Sequence, residues 1–260
     1  KTNYLAIISQ LQRISSMLSS DQENFQARAL HPTHYGRFCP IETPEGTEIG
    51  LRKNLAILSR VSTRIELDEP NFIKTLESIG LIKENTDEKS NNEADVFLNG
   101  IFIGNVKNSN EFVEGIKDRR RKGELPIQLN VRNNKSFNTI LISTESGRVL
   151  RPVIIIENGS PKLKNEHLIQ IDQEEITWND LLKGGIIEYL DASEEEDCLV
   201  SLYEEEITSQ HTHLEIDPID LFGVVTCLVP YGNHDQSSRL NRGSKTQKQA
   251  LGIYAADYLA

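Results

Sequence analysis

The sequence is poor in the residues that hold small secreted domains and many metal sites together. It has three cysteines in 260 residues, Cys39, Cys198 and Cys227, and no C-x-x-C pair. Neither a zinc ribbon nor a disulfide framework is therefore indicated, and a reducing, intracellular setting is expected. No apolar run approaches the length needed to span a bilayer, and no signal-peptide pattern opens the chain. We therefore expect no membrane partner.

The common short catalytic motifs are also missing from the sequence. It contains no P-loop, no G-x-G-x-x-G and no G-x-S-x-G, which leaves no phosphate-binding loop and no nucleophile elbow to build on. It lacks an initiator methionine, and both of its ends have helix-like patterns. We therefore expect an internal fragment of a longer polypeptide.

Acidic residues outnumber basic ones, but unevenly along the chain. The net charge is −11 overall, while residues 61–215 carry −13, residues 1–60 carry +2 and residues 216–260 are neutral. Within the last segment, residues 236–249 hold four basic side chains and no acidic one. If nucleic acid binds, we expect it at the two ends of the sequence and not on the acidic middle.

Two histidine clusters are candidate metal ligands. His31 and His34 precede Glu42 in sequence, and His211 alternates with His213 and Glu215. A metal site needs three or four ligands converging on one point, and Pro32 disfavours a helical arrangement of the first pair. We expect these histidines to hold loops by hydrogen bonds, with a metal hydrolase as the competing hypothesis. The acidic run over residues 194–197 is expected to be a solvated face.

Local patterns predict several elements. Apolar residues at three- and four-residue steps from Leu5 to Leu18 predict a helix over about residues 3–18. A helix closed by Gly80, and another starting at a Ser/Asn cap near residue 109, are also expected. Asn99-Gly100 between two apolar runs predicts a tight hairpin. The apolar run "DLFGVVTCLVPYG", residues 220–232, predicts a buried strand, followed by a basic loop that runs into a helix.

The basic stretch near the end of the chain allows two interpretations. Four Lys/Arg residues fall within ten positions, interleaved with amides: Arg239, Arg242, Lys245 and Lys248 with Gln236, Asn241, Gln247 and Gln249. A groove for a phosphate backbone needs charge for affinity and amides for positioning. A solvated helix face has the same composition.

Long stretches of the chain resemble one family, the second-largest subunit of multisubunit DNA-directed RNA polymerases. That subunit's fork region is matched by residues 31–51, "HPTHYGRFCPIETPEGTEIGL", and the start of its hybrid-binding region by residues 228–252, "LVPYGNHDQSSRLNRGSKTQKQALG". The two external domains are matched in the same order by "VFLNGIFIG", "RRRKGELP", "SGRVLRPVIIIE", "WNDLLKGGIIEYLDASEEED" and "HTHLEIDP". The resemblance covers essentially the whole chain and is archaeal in type.

The resemblance implies roles for particular residues. Arg239 matches the arginine that reaches the triphosphate of the incoming nucleotide, where it would neutralise charge on the leaving pyrophosphate. Lys248 and Gln249 match a pair along the RNA backbone near its growing end. Arg13 matches one of two adjacent arginines, and the loop ending at Arg28 matches the fork loop at the downstream DNA. Nucleic-acid contacts are also expected from three further residues of the basic stretch, Gln236, Arg242 and Lys245. Glu42 and Glu45 are expected to hold backbone amides and arginines.

The resemblance also implies an architecture and partners. We expect an α+β fold of several small lobes, with mixed helices, mostly antiparallel sheets and no single continuous core. The expected divisions are a fork region (1–62), external domain 1 (63–152), external domain 2 (153–210) and the start of a hybrid-binding domain (211–260). Expected partners are the largest and other polymerase subunits, template DNA, the RNA–DNA hybrid, nucleoside triphosphates and, on the external domains, transcription factors.

The catalytic chemistry is expected to come from elsewhere in the complex. In this family the magnesium-binding aspartates belong to the largest subunit, so we expect no cofactor and no zinc in this chain. If the source is archaeal, we expect a cytoplasmic, nucleoid-associated location. The chain would supply one wall of an active centre. The alternative is a non-catalytic module that binds protein factors through its acidic lobes.

Overall fold

The structure, a computed structural model, describes residues 1–83 and 93–251. Nine α-helices lie in these ranges: α1 Tyr4–Leu11, α2 Phe25–Arg28, α3 Glu69–Ile79, α4 Ser109–Arg121, α5 Asn165–Asp172, α6 Trp178–Lys183, α7 Ala192–Glu195, α8 Val224–Cys227 and α9 Ser237–Gln249. Twelve strands lie in the same ranges: β1 Arg13–Ser15, β2 Arg52–Asn54, β3 Arg60–Val61, β4 Ala94–Leu98, β5 Ile101–Val106, β6 Asn130–Asn134, β7 Thr139–Ser143, β8 Val149–Glu157, β9 Ser160–Pro161, β10 Ile187–Leu190, β11 Val200–Ser201 and β12 His213–Leu214.

The chain divides into two compact units. One, here the split unit, joins Lys1–Ser59 to the residues from Asp217 onward, and the other, the central unit, is Arg60–Ile216. The two ends of the described chain therefore fold together. The four-part division into fork, external and hybrid-binding regions stays a prediction.

The split unit starts with a shorter helix than its periodicity predicts. The side chain of Asn3 accepts a hydrogen bond from the backbone of Ala6 at 2.9 Å and starts α1, but the helix ends at Leu11. The prediction of a helix to residue 18 is wrong, because β1 pairs with β2 in an antiparallel ladder from Arg13 to Ser15. A tertiary partner overrides the weak helical propensity of these residues.

The second part of the split unit is helical where a strand and a loop were predicted. The predicted buried strand over residues 220–232 is wrong. Asp217 caps a 3₁₀ turn by accepting from the backbone of Ile219 at 2.9 Å, and α8 follows Gly223. Periodicity alone cannot separate a short buried strand from a short buried helix. The predicted basic loop is wrong as well, since it forms α9. The helix predicted beyond it lies outside the described residues.

The central unit contains two sheets. A four-stranded sheet has the order β5-β4-β7-β6, and a six-stranded sheet has the order β10-β8-β12-β11, with β3 and β9 also paired to β8. All pairs are antiparallel except β4 with β7 and β11 with β12. The predicted hairpin is confirmed: Asn99 and Gly100 join β4 to β5 with φ of 50° and 82°, which suits a type I′ turn. Two further predictions are confirmed: a helix that ends at Gly80 and a helix cap beside Ser109.

The central unit has two separate apolar cores. The first lies between the four-stranded sheet and helices α3 and α4, and the second surrounds β8, β10 and α6. By contrast, the buried residues of the split unit include many polar side chains, among them Ser9, Arg37, Glu42 and Asn54. The predicted α+β class without a single continuous core is confirmed.

A buried charge network connects the two cores of the central unit. Arg120 of α4 donates to both carboxylate oxygens of Glu194 at 2.7 Å and to Glu188 of β10 at 2.5 Å. Glu188 also contacts Arg121 and His213, each at 2.7 Å. The expectation that residues 194–197 form a solvated face is wrong for Glu194, which is 1% exposed. A buried arginine explains the difference, since a carboxylate is tolerated inside a protein when it is paired.

Along the described ranges, no helix has the length and apolarity needed to cross a bilayer.

Candidate nucleic-acid interface

A cavity in the split unit gathers half of the predicted site residues. It has a volume of about 380 Å³, and its walls come from α1, α9 and the segment from Glu42 to Asn54. Arg13, Lys245, Lys248 and Gln249 line it. These four residues come from opposite ends of the sequence, and the fold brings them to one concave surface.

Helix α9 is held against the rest of the split unit by its buried side. Leu240 and Ser244 are buried, and the side-chain amide of Asn241 donates to the backbone oxygens of Ile41 at 2.6 Å and Thr43 at 3.0 Å. These bonds fix the rotation of the helix about its axis. That rotation turns Lys245, Lys248 and Gln249 toward the cavity.

Asn3 connects the start of α1 to the end of α9. Its side-chain amide donates to the backbone oxygen of Gln247 at 2.7 Å and of Ala250 at 2.8 Å, while its side-chain oxygen caps α1. Thr2 adds a hydrogen bond to the backbone oxygen of Lys248 at 2.9 Å. The two helices that form the cavity are therefore fixed to each other by side-chain-to-backbone bonds.

A buried carboxylate positions Lys248. One oxygen of Glu42 accepts from Nζ of Lys248 at 2.6 Å and from the Ser9 hydroxyl at 2.7 Å. The amide of Asn54 donates to that hydroxyl at 2.9 Å and to the Ser9 carbonyl at 2.8 Å. Lys245 lies 3.2 Å from Glu45 in a more exposed pair. The expectation that Glu42 and Glu45 hold backbone amides and arginines is wrong, because both carboxylates pair with lysines of α9.

The cavity is basic although the chain is acidic. Its lining has five Lys/Arg side chains and two Glu side chains, a net charge of +3: Lys1, Arg13, Arg52, Lys245 and Lys248 against Glu42 and Glu48. The whole chain carries −11. Glu48 and Arg52 also pair with each other. A surplus of fixed cations in a concave site attracts phosphate groups.

Three predicted contacts, two on α9 and one at its N-cap, lie outside the cavity lining. Gln236, Arg239 and Arg242 are exposed, and within the described residues the side chain of Arg239 makes no hydrogen bond or ion pair. Nine residues of helix place Arg239 about 180° around the axis from Lys248 and about 13 Å along it. The structure therefore separates the predicted triphosphate contact from the predicted backbone contacts.

Arg28 is used inside its own loop. Its guanidinium donates four hydrogen bonds to backbone oxygens: Thr47 at 2.6 Å, and Ile49, Ser20 and Gln22 each at 3.0 Å. Gly50 packs against the same place, with a φ of +72° and room for no Cβ, which would come 2.4 Å from the Arg28 carbonyl oxygen. Arg28 and Gly50 thus join the loop before α2 to the Pro/Gly-rich segment after it.

The histidines serve the loops around the site. Nδ1 of His34 accepts from the backbone of His31, and Nδ1 of His31 accepts from that of Thr33, both at 3.3 Å. Burial, with Lys53 and His31 nearby, lowers the pKa of His34 and favours this neutral acceptor. Throughout the described ranges, the structure brings together no group of three or more His, Cys, Asp or Glu that could hold a metal ion. The metal-hydrolase hypothesis therefore gains no support from the structure.

Sequence reasoning missed several members of the site. Lys1 and Arg52 line the cavity, and Ser9 and Asn54 hold Glu42, yet none of the four was expected there. The one available signal was Ser9, a polar residue among the apolar positions of α1. Its burial shows that this side of α1 faces a polar partner and not a hydrophobic core.

Comparison with known families gives three matches along the chain. They are RNA polymerase Rpb2 domain 3 over residues 1–61, domain 4 over residues 96–157 and domain 5 over residues 178–218. The cavity residues before residue 61 fall in the first match.

Individual relatives are similar over nearly the whole chain. DNA-directed RNA polymerase subunit Rpo2 of Saccharolobus shibatae is 40% identical over 99% of this chain. DNA-directed RNA polymerase III subunit RPC2 of Saccharomyces cerevisiae is 34% identical over 98% of it. The chain spans only about a quarter of these relatives, 24% and 22% of their lengths.

Proposed function

Since the chain belongs to the Rpb2 family of DNA-directed RNA polymerase subunits and spans its domains 3 to 5, we propose that its cavity faces the nucleic acid during transcription. In this proposal the chain is part of a nucleotidyltransferase complex and forms one wall of the active centre. Lys245, Lys248 and Gln249 lie along the phosphate backbone of the RNA–DNA hybrid, and Arg13 contacts a further phosphate.

One observation carries the proposal: four residues predicted from the sequence as nucleic-acid contacts line one basic cavity in an acidic chain. A groove with a net charge of +3 on its lining provides the attraction that phosphate binding requires, and Gln249 supplies a neutral hydrogen-bonding group beside the charges. The Glu42 carboxylate keeps Lys248 oriented before the nucleic acid arrives. Preorganisation of this kind lowers the entropy lost on binding.

Arg239 has a separate role in the proposal. It is exposed near the start of α9 and has no side-chain partner among the described residues, so its guanidinium is available for the triphosphate of the incoming nucleotide. Charge that builds up on the leaving pyrophosphate would be stabilised there. The catalytic magnesium ions are assigned to the largest subunit, as the family resemblance implies.

The first test measures how salt weakens hybrid binding by an assembled polymerase carrying Lys248→Ala. Each lost phosphate contact is expected to reduce the slope of log K against log salt by about 0.7–0.9. Lys135→Ala, which removes an exposed lysine from the central unit, is the matched control and should leave the slope unchanged. Equal slopes for the two variants would contradict a phosphate contact by Lys248.

The second test measures nucleotide addition by a polymerase carrying Arg239→Ala. A triphosphate contact predicts a loss of kcat/KM of about 100-fold or more with hybrid affinity intact. Arg64→Ala, an exposed arginine of the central unit, controls for the loss of charge. Normal kinetics would remove Arg239 from the active centre and would favour the alternative, a non-catalytic interaction module.

A further inference from the structure

Helix α5 lies in the part of the central unit that contains the six-stranded sheet, and it has no buried residue. It spans Asn165–Asp172, and every position on it is exposed or only partly buried. Isolated helices of this length are marginal in water, and most helices in proteins gain their stability from a packed apolar face. Such a face is present on α5, but its own unit does not cover it.

Three large aliphatic side chains of α5 face solvent. Leu168, Ile169 and Ile171 are 50%, 55% and 39% exposed. The chain on either side is anchored, because Leu163 before the helix and Ile176 after it pack against the second apolar core. Packing therefore holds the chain on both sides of the helix, while the apolar residues of the helix stay exposed. An exposed apolar patch on an anchored element is typical of a docking surface and not of a frayed segment.

Charge identifies the kind of partner. Four exposed carboxylates accompany the apolar residues, one in the first turn and three at or just past the C-terminal end: Glu166, Asp172, Glu174 and Glu175. Within the described residues none of the four forms an ion pair. The nearest lysines in sequence are Lys162, which pairs with Glu157, and Lys164, which lies before the helix.

The C-terminal end of α5 concentrates negative potential. Three carboxylates lie where the helix dipole is itself negative, an unfavourable position that a cation relieves. This field repels phosphate backbones, so nucleic acid does not fit the surface. A protein segment with aliphatic anchors and Lys or Arg beside them fits both features.

We propose that α5 is a docking surface for a basic amphipathic helix of a protein that binds the polymerase. The apolar face of the partner would cover Leu168, Ile169 and Ile171, and its basic side chains would meet Asp172, Glu174 and Glu175. The surface lies outside the cavity and does not depend on the function proposed for it.

The test follows hydrogen–deuterium exchange of the α5 amides in the assembled polymerase. The probe is a 14-residue amphipathic peptide of leucine and lysine, and its control has every lysine replaced by glutamate. The basic peptide is expected to slow exchange across residues 165–172 by about tenfold or more at saturation, and the acidic peptide is expected to have no effect.

Variants separate the apolar and charged contributions. Leu168→Ser with Ile169→Ser and Ile171→Ser, and separately Glu174→Lys with Glu175→Lys, should each raise the Kd for the basic peptide by about tenfold. All five side chains are exposed, so neither variant disturbs a core. Glu204→Lys with Glu205→Lys changes two exposed carboxylates elsewhere in the same unit and should leave the Kd within about twofold.

Four outcomes would overturn the proposal. In the first, the α5 amides are already protected without peptide, which would place another part of the polymerase on the helix. In the second, the basic peptide gives no protection, and in the third both peptides protect equally. In the fourth, the Glu204/Glu205 control loses as much affinity as the α5 variants. The first would show that the occupant is a resident chain, and the others would show that α5 does not select a basic partner.

Discussion

Glu42 and Lys248 form a pair that no local pattern could reveal, because 206 residues separate them in the chain. The family resemblance predicts a phosphate contact for Lys248 and a structural role for Glu42, but it does not connect the two residues. Only the fold, which joins the two ends of the described chain in one unit, brings the carboxylate to the lysine. Long-range pairs of this kind are where residue-level prediction fails.

Replacing Glu42 by glutamine should destabilise the split unit. The side chain is 4% exposed, and it is hydrogen-bonded to Lys248 and Ser9, so the variant leaves buried donors poorly satisfied. We expect a loss of about 1–3 kcal/mol, measured by hydrogen exchange of α1 and α9 amides. Glu45→Gln breaks the exposed pair with Lys245 and should cost less than about 1 kcal/mol. Equal effects would show that burial of the Glu42 pair contributes nothing.

Glu188 should make the central unit sensitive to acid. Burial alone would raise its pKa, but Arg120, the hydrogen bond from His213 and Arg121 together hold the pKa well below its ordinary value of 4.5. A carboxylate with a lowered pKa contributes stability that is present above the unfolded value and is lost as the pH falls toward the folded value. The free energy of unfolding should therefore fall below about pH 4.5.

Glu188→Gln tests this link between charge and stability. The variant should be less stable than the parent protein at pH 7 and should show a shallower decline below pH 4.5, because the group that takes up the proton is gone. Denaturant unfolding from pH 3 to pH 7 measures both. An unchanged acid slope would assign the pH dependence to other carboxylates.

At the scale of elements, signals that depend on a few neighbouring residues were the reliable ones. The turn at Asn99-Gly100, the helix end at Gly80 and the cap at the start of α4 all lie where the sequence predicts them. The failures involve packing. β1 forms because β2 is available to pair with it, and residues 220–232 are too uniformly apolar for their period to separate strand from helix.

Arg28 offers a test at the same scale, because its side chain holds one loop to another. Lysine cannot replace a guanidinium that donates to four carbonyl groups at once. Arg28→Lys should cost about 1–2 kcal/mol of local stability and speed hydrogen exchange around residues 19–24 and 47–50, with Arg64→Lys as the control. Unchanged exchange with weaker binding of downstream DNA would instead make Arg28 a DNA contact, as the resemblance implies.

For the whole molecule, the α+β class and the separate cores were predictable, but the way the central unit is held together was not. The expectation of an exposed acidic middle missed Arg120, which is 2% exposed and bonds two buried carboxylates from different elements. Composition counts charges but does not show which of them are inside. Because Arg120 of the first core's helix bonds Glu188 of the second core's sheet, we expect this network to couple the two cores.

Removing Arg120 should loosen both halves of the central unit together. Arg120→Met leaves Glu188 and Glu194 buried without their main partner, a change that typically costs about 3–5 kcal/mol. Amides of the four-stranded and six-stranded sheets should then exchange faster in parallel. Arg132→Met breaks a surface pair with the exposed Glu196 and should cost less than about 1 kcal/mol. Faster exchange in one sheet only would mean that the network does not couple them.

Two lysines of the cavity, Lys245 and Lys248, are paired with carboxylates in the absence of nucleic acid, and this bears on the movement of a bound hybrid as well as on affinity. Under the proposed function, a phosphate that reached Lys248 or Lys245 would replace a carboxylate, which would return when the phosphate left. Such an exchange of one anion for another would keep the cation neutralised throughout, so no register of the hybrid would be bound much more tightly than the next. If the hybrid lies in the cavity as proposed, it would cross this surface in single-nucleotide steps of nearly equal energy, without a strongly favoured position.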